Sequence, residues 1–369
     1  MNKKTIWIVV IILAVVVVAM FLSKRPQNGS GVVRIAAAIP LTGNYASIGE
    51  KIKNGLEAAK TDIEAKDGTK IDILYEDACL PKDITSAVQK LITIEKVKVI
   101  NQFCAVGIVP SLEITEPAKV INVEVAANVD DLLGKTYFFS PNFAVRDNAK
   151  TIAEFAANEL KTKRAAFIYY NTPFGKDYTK YTSARFKELG GEVVADEMTN
   201  LDVTDFRTNL SKIKSLKPDV IFVTQLTGAL GTILKQARDL GISVAIIGNY
   251  QNEDPTVLSV AGAAAEGFII SSADPAALSQ NYSGFSTSFE ATFKVKPDVF
   301  ASNAYDALHL EVAAIKACGD DTDCMRSEIH KVTDYQGVSG VITINKDGVA
   351  IKPTIFKVVK NGAFIPYVK

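Results

Sequence analysis

Val33-Arg-Ile-Ala-Ala-Ala-Ile-Pro-Leu-Thr-Gly43 opens on small and branched apolar residues and ends in a Pro/Thr/Gly turn. A short apolar run bounded in this way reads as a buried strand. A loop through Gly49 follows, then an amphipathic stretch over Lys51–Ala65, then a second strand candidate, Ile71–Tyr75. Strand, glycine loop, helix, strand is the repeating unit of a parallel sheet. The same order returns at Arg164–Glu197, where Gly175 stands as Gly49 stood and Gly190-Gly191 make the turn. The reading is an α/β chain with two Rossmann-like, doubly wound lobes.

The rest of the chain continues the alternation. Further strand candidates are Val97–Gln102, Ala165–Tyr170, Glu192–Asp196, Val220–Thr224 and Val244–Gly248. Between them lie helical segments Ile84–Ile94, Asn148–Leu160, Tyr178–Leu189, Phe206–Ser215 and Leu230–Leu240. Gly190 and Gly241 sit where a helix needs a left-handed residue after its end. Lys217-Pro-Asp219 separates helix from strand, since a residue before proline avoids the helical region. After Gly267 the order changes: a strand at Phe268–Ser271, helices over Tyr282–Phe293 and Phe300–Ala317, then β segments at Gly340–Asn345 and Pro353–Lys360. Ligands of open α/β sheets sit beyond the carboxyl ends of the strands, so two such lobes face each other across a cleft.

The 369 residues are 48% hydrophobic and carry 41 basic and 41 acidic side chains, enough apolar surface for about two domains. Residues 1–32 hold Lys3, Lys4, Lys24 and Arg25 and no acid, which leaves 37 basic against 41 acidic groups in the remainder, a balance of −4. A mildly acidic body lacks the clustered cations that displace counterions from nucleic acid, so no nucleic-acid partner is expected. Ile6 to Leu22 is an unbroken apolar run between those four cations. As a helix it spans roughly 26 Å, at the short end for crossing a bilayer. It reads as an export signal, either an uncleaved anchor in the lipid bilayer or a cleaved leader, with the anchor preferred because no small-residue cleavage site follows. Lys24-Arg-Pro-Gln-Asn-Gly-Ser-Gly31 then serves as a tether. An extracytoplasmic address makes the local pairs Cys79/Cys104 and Cys318/Cys324 disulfide candidates, the alternative being four inert buried thiols. Closing the first loop would add roughly 3.5 kcal/mol in a chain-entropy account.

Catalytic chemistry finds little material. No G-x-G-x-x-G follows a strand, and neither a phosphate-binding loop nor a nucleophile elbow is present. His309 and His330 fall in helical stretches and read as structural, and Asp77, Asp130 and Asp131 read as loop acids that cap helices. Neither a metal site nor a cofactor is expected, and no enzyme activity.

The ordered set Arg34-Ile-Ala-Ala-Ala-Ile-Pro-Leu-Thr-Gly43, Ile48-Gly-Glu50, Tyr75-Glu-Asp-Ala-Cys-Leu-Pro-Lys82, Lys217-Pro-Asp-Val220, Leu234-Lys-Gln-Ala-Arg-Asp-Leu-Gly241, Ala265-Glu-Gly267, Gln336-Gly-Val-Ser-Gly340 and Asn345-Lys-Asp-Gly348 resembles the type I periplasmic binding proteins of the leucine/isoleucine/valine-binding family. That family delivers solutes to ABC importers. The resemblance implies two lobes joined by three crossovers, residues 33–146 with 274–335 and residues 147–273 with 336–369, closing by hinge motion on a small-molecule solute, a branched-chain amino acid or a related amide or organic acid. It implies ABC permease subunits as partners and supports a Cys79–Cys104 bridge. A ligand-sensing ectodomain on the same fold, signalling through a membrane partner, is the alternative.

The resemblance also points to site residues. A carboxylate-binding hydroxyl of the family corresponds to Ala105, and a threonine of the next loop to Asn128, with Ala126 offering backbone. The acid that meets an α-ammonium corresponds to Tyr250, aromatic contacts to Phe174 and Leu226, and a first-loop aromatic to Ile48; Gln225 adds an amide. A buried ammonium without a carboxylate loses a charge-assisted bond and keeps its desolvation cost. Unless Glu253 or Asp254 reaches in, such a cleft suits an organic acid, amide or aromatic compound better than a zwitterion.

Overall fold

The computed structural model describes residues 31–368. The apolar run Ile6–Leu22, with the anchor expected there, lies outside the described residues. Among those described, no helix is long and apolar enough to cross a membrane.

The first sheet is built from β1 (Val33–Ile39), β2 (Ile71–Asp77), β3 (Val99–Gln102), β4 (Ile121–Glu124) and β5 (Phe138–Phe139), in the order β2-β1-β3-β4-β5, all parallel. The second holds β6 (Arg164–Tyr170), β7 (Glu192–Thr199), β8 (Val220–Thr224), β9 (Ala245–Gly248) and β10 (Ile269–Ser272), followed by β13 (Ile355–Lys360) and β14 (Ala363–Pro366). Its order is β7-β6-β8-β9-β10-β13-β14, parallel as far as β10 and antiparallel beyond. The first five strands of the second sheet repeat the winding of the first sheet strand for strand. The units around the two sheets are called here the first and second lobes.

The matched glycines show why the repeat holds. A Cβ on Gly49 would lie 1.6 Å from the Pro40 carbonyl oxygen, and one on Gly175 would lie 2.2 Å from that of Tyr170. In each lobe the helix after the first strand begins against the backbone of the loop it leaves. Only a residue without Cβ permits that approach.

The chain leaves the first sheet after β5, returns after β10, and crosses again before β13. On its return it forms the helices Tyr282–Phe293, Val299–Cys318 and Thr322–His330; the second of these packs along the helix Ala46–Asp67 of the first lobe. The crossing is close, since a Cβ on Gly55 would meet the Ala301 carbonyl oxygen at 2.2 Å. The second lobe has a dry aliphatic interior of Ile168, Ile221, Val223, Ile246 and Ile270 against Leu210, Ile213, Ile233 and Leu234. Both cysteine pairs are joined as disulfides, with Cα separations of 5.4 Å for Cys79–Cys104 and 5.6 Å for Cys318–Cys324.

Several element boundaries differ from the sequence reading. The strand expected over Val97–Gln102 begins at Val99, and the one expected from Val244 begins at Ala245. The segment Gly340–Asn345 contributes only β12 (Val341–Ile342), paired with β11 (Tyr335–Gln336). Beyond it Ile344 makes an isolated antiparallel bridge to Ala350, and the chain bends at Gly340, φ 130°, and after Asn345, whose side chain accepts from Asp347 N–H. The helix expected over Tyr178–Leu189 starts at Pro173, because Thr172 caps it by accepting from Gly175 N–H. The segment Asn148–Leu160 is an α-helix over Val145–Glu154 that widens into a π turn over Phe155–Glu159.

Candidate functional site

In each sheet the winding reverses beside its first strand, and the loops after the first and third strands leave a gap there. In the first lobe these loops carry Tyr45 and Phe103-Cys-Ala-Val106; in the second, Thr172 and Phe174 follow the first strand, β6, and Gln251 comes from the loop after the fourth, β9. They meet with Ala127 and Tyr170 around a cavity of about 30 Å³, room for a water or two. A larger groove of about 540 Å³ lies elsewhere, on the outer face of the first lobe between helices Ala46–Asp67 and Tyr282–Phe293. Size alone would favour that groove. The interlobe cavity is the better candidate because it lies at both switch points, and it is narrow because the lobes touch around it.

The first-lobe wall is made by the start of the helix Ala105–Thr115, whose first N–H groups have no intrahelical partner. Cys104 precedes it in a left-handed conformation, φ 82°, held by its bridge to Cys79. Gly107 is required there, since a Cβ would meet the Cys79 carbonyl oxygen at 2.2 Å. On the facing wall the rings of Tyr170, Phe174 and Tyr178 pack in sequence. Burial pushes the Tyr45 phenol up to about 12 and the Tyr170 phenol well above its usual value, so both remain protonated at neutral pH.

Behind the cavity Tyr250 is buried and crosses between the lobes, its hydroxyl donating to the Ala126 carbonyl. That carbonyl also accepts from Asn142 Nδ2 at 2.8 Å. Glu124 fixes the same loop, accepting from Ala126 N–H at 2.7 Å and Ala127 N–H at 3.0 Å through Oε1. Burial raises the Glu124 carboxyl to about 8 despite those two donors. Burial, with the nearby Glu124 second, also holds the Tyr250 phenol far above its ordinary value.

Of the residues singled out from sequence, Ala105 and Phe174 line the cavity; Ala126 and Tyr250 do not, but they bond to each other across the lobes next to the lining residues Ala127 and Gln251. Asn128 is buried, and its Nδ2 is committed to Ser140 Oγ and to the carbonyls of Asn142 and Phe143 at 2.9–3.0 Å. Gln225 donates to Thr199 Oγ1 at 2.8 Å. Leu226 occupies the N-cap of the helix Thr227–Asp239, and Ile48 packs against the first-lobe core; neither lines the cavity in this arrangement. Glu253 is taken by Lys357 and Ser272, and Asp254 by Lys51, so neither acid is free to meet a solute ammonium. Sequence reasoning missed Tyr45, Phe103, Thr172 and Gln251; their common signal is a position just past the carboxyl end of a strand. Among the described residues no group of acids, histidines or cysteines is placed to hold a metal.

Comparison with known proteins agrees with this geometry. A family described as periplasmic binding protein matches residues 32–363. The Leu/Ile/Val-binding protein of Citrobacter freundii is 25% identical over 248 residues, 64% of this chain and 66% of that relative, so the matched stretch spans just under two thirds of the relative's length. A Leu/Ile/Val-binding protein homolog from Brucella abortus is 25% identical over 78% of this chain and 79% of its own. Among solved structures, a leucine binding protein of Thermotoga maritima superposes with a TM-score of 0.86 at 26% identity, covering 91% of this chain and 98% of that one. A solute binding protein of an ABC transporter from R. palustris, in complex with benzoate, shares the fold with a TM-score of 0.83 at 22% identity, covering 91% and 95%. The chain belongs to the type I periplasmic binding proteins of the leucine/isoleucine/valine-binding family, which are solute-binding proteins and not enzymes.

Proposed function

We propose that this chain is an extracytoplasmic substrate-binding protein of an ABC importer. It captures a small organic solute between its lobes, closes by hinge motion and hands the solute to permease subunits in the membrane. The moving bodies are residues 33–146 with 274–335 and residues 147–273 with 336–369, and residues 6–22 hold the protein to the bilayer. Family membership supports transport, and the two disulfides support an oxidising compartment.

The observation that carries the choice of solute is the Tyr250 hydroxyl on the Ala126 carbonyl. A neutral protein donor fills the place where an amino-acid ligand would bring its ammonium. The carboxyl near it, Glu124, is raised by burial to about 8 and spends Oε1 on the Ala126 and Ala127 N–H groups, so at neutral pH it is a poor partner for an ammonium. The solute we infer is an organic acid or amide without an amino group, aromatic acids included. Its carboxylate would meet the open N–H groups of Ala105 and Val106 and the Thr172 hydroxyl. Its apolar body would lie on Phe103, Tyr170 and Phe174. The R. palustris relative in complex with benzoate is an example of this fold taking such a solute.

A thermal-shift panel on the full chain tests this reading. Benzoate, 4-hydroxybenzoate and short branched organic acids are expected to raise the unfolding midpoint, and the corresponding amino acids are not. Stabilisation by leucine or valine alone would sink it.

A further inference from the structure

Lys51 sits at the rim of the interlobe cleft between two helix caps that belong to different lobes. Asp298 caps the helix Val299–Cys318 of the first lobe, accepting from Phe300 and Ala301 N–H through Oδ1 at 3.0 Å. Asp254 caps the helix Pro255–Ala261 of the second lobe, accepting from Thr256 N–H through Oδ1 at 2.8 Å. Each leaves Oδ2 free, and Lys51 Nζ takes both, at 3.1 Å from Asp298 and 2.9 Å from Asp254.

The two contacts are not equivalent. Lys51 and Asp298 lie in one lobe and are held together by the tight crossing at Gly55 and Ala301, one turn along from Lys51. The ammonium also stands 5.9 Å from the Phe300 ring centroid, a cation–π contact within the same lobe. Asp254 lies across the cleft, and separating the lobes along this rim breaks its contact. Burial disfavours the Lys51 ammonium, but Asp298 and then Asp254 more than offset this and hold its pKa up. The pair is sheltered, with 28% of the Lys51 side chain and 12% of that of Asp254 exposed. Solvent screens it less than a surface ion pair.

We infer that Lys51 is a positioning residue for lobe closure: it is preset by Asp298 and latches onto the cap of Asp254 when the lobes meet. This rests on the hinge-closing reading of the cleft. A solute that binds only the closed arrangement has an apparent affinity proportional to the closed population, so the latch sets affinity without touching the solute. Further interlobe contacts, between Asp130 and the Asp177, Lys180 and Tyr181 of the helix Pro173–Glu188, lie beside the first crossover, where Asn128 bridges Ala144. They are expected to persist as the lobes part.

The test is the interlobe distance distribution of the solute-free full chain, read by single-molecule energy transfer with one dye on each lobe. In Lys51→Met the ratio of closed to open molecules is expected to fall roughly three- to tenfold, the range of a half-buried ion pair. Asp254→Asn, which keeps the Oδ1 cap, is expected to give the same shift, Lys51→Arg to restore most of the closed population, and the double variant to add little. A structural role alone would lower the unfolding midpoint and leave the distribution unmoved. A distribution in Lys51→Met equal to that of the wild type, with an unchanged midpoint or a lowered one, overturns the latch. The hinge reading is judged separately, by whether benzoate or any other bound solute shifts the wild-type distribution.

Discussion

The two lobes wind in the same order yet have different interiors. In the second, the central strands β8 and β9 read Val-Ile-Phe-Val-Thr and Ala-Ile-Ile-Gly, and the core around them is aliphatic and aromatic. In the first, β3 and β4 read Val-Ile-Asn-Gln and Ile-Asn-Val-Glu, all buried. There Asn101 Nδ2 donates to Glu311 Oε2 at 3.0 Å, Asn303 Nδ2 to the Val125 carbonyl at 2.9 Å, and Lys352 Nζ to Asn303 Oδ1 at 2.9 Å. A polar core is a poor source of stability, because each buried group must first lose its water. Here it holds the Val125–Ala127 backbone from behind, through Glu124, Asn142 and Asn303, in the place where the Ala126 carbonyl meets Tyr250. The dry lobe supplies rigidity, and the polar lobe aims a loop.

Four tests separate these roles, the three sets of substitutions taken in order of expected effect. Phe206→Ala removes a fully buried ring from the dry core and is expected to lower unfolding free energy by about 3–5 kcal/mol in urea titration, with solute affinity nearly unchanged. A comparable loss of affinity would mean that the dry lobe also shapes the site. Gly49→Ala and Gly175→Ala probe the repeat. Overpacking against backbone should remove roughly 3 kcal/mol at Gly49 and about 1–3 kcal/mol at Gly175, matching the closer approach in the first lobe. Free tolerance at both would mean that the two loops are not structural equivalents.

Glu124→Ala leaves the N–H groups of Ala126 and Ala127 buried without their acceptor, at about 1–3 kcal/mol by chemical denaturation. Unlike Phe206→Ala it should also weaken solute binding, while Glu124→Gln, which keeps the acceptor, should do so far less. Equal behaviour of the Ala and Gln variants in a titration would detach the polar core from the loop.

The last test reads a slope and not a single loss: the dependence of stability on pH. Burial raises the carboxyls of Glu124 and Glu311 to about 8, whereas in the unfolded chain each ionises near the ordinary value of 4.5. Between those values the folded protein binds more protons than the unfolded one. The contribution of this pair is therefore full below pH 4.5 and is lost as pH rises towards 8. Lys352, whose ammonium burial pulls down to about 8, changes its contribution only above that window. Glu124→Gln with Glu311→Gln is expected to flatten the fall in unfolding free energy between pH 5 and 8. An unchanged slope would show that the polar core does not hold its protons.

Much of the fold was legible in the sequence, because parallel strands buried on both faces read as aliphatic runs. Val33–Ile39 and Val220–Thr224 have the bounds the pattern suggests. The polar core hid β4: Ile-Asn-Val-Glu looks like an exposed alternation, and its Asn122 and Glu124 are fully buried. The helix Ala105–Thr115 was hidden by Gly107 and by Pro110 inside it. Of the residues to which the family likeness points, Ala105 and Phe174 line the interlobe cavity. The likeness also suggested Asn128 as a donor to solute, although its amide is committed to the crossover beside it. Tyr45, Thr172 and Gln251 lie in loops without periodicity, and only the winding of the two sheets brings them together.

The most direct test of the account is isothermal titration of the full chain with matched pairs that differ only in the amino group: leucine against 4-methylpentanoate, and phenylalanine against 3-phenylpropanoate. A buried ammonium facing the Tyr250 hydroxyl instead of a carboxylate gives up a charge-assisted bond. The account predicts that the acid without the amine binds at least about tenfold more tightly in whichever pair fits the cleft, one such step being about 1.4 kcal/mol. Tighter binding of the amino acid in that pair would contradict it.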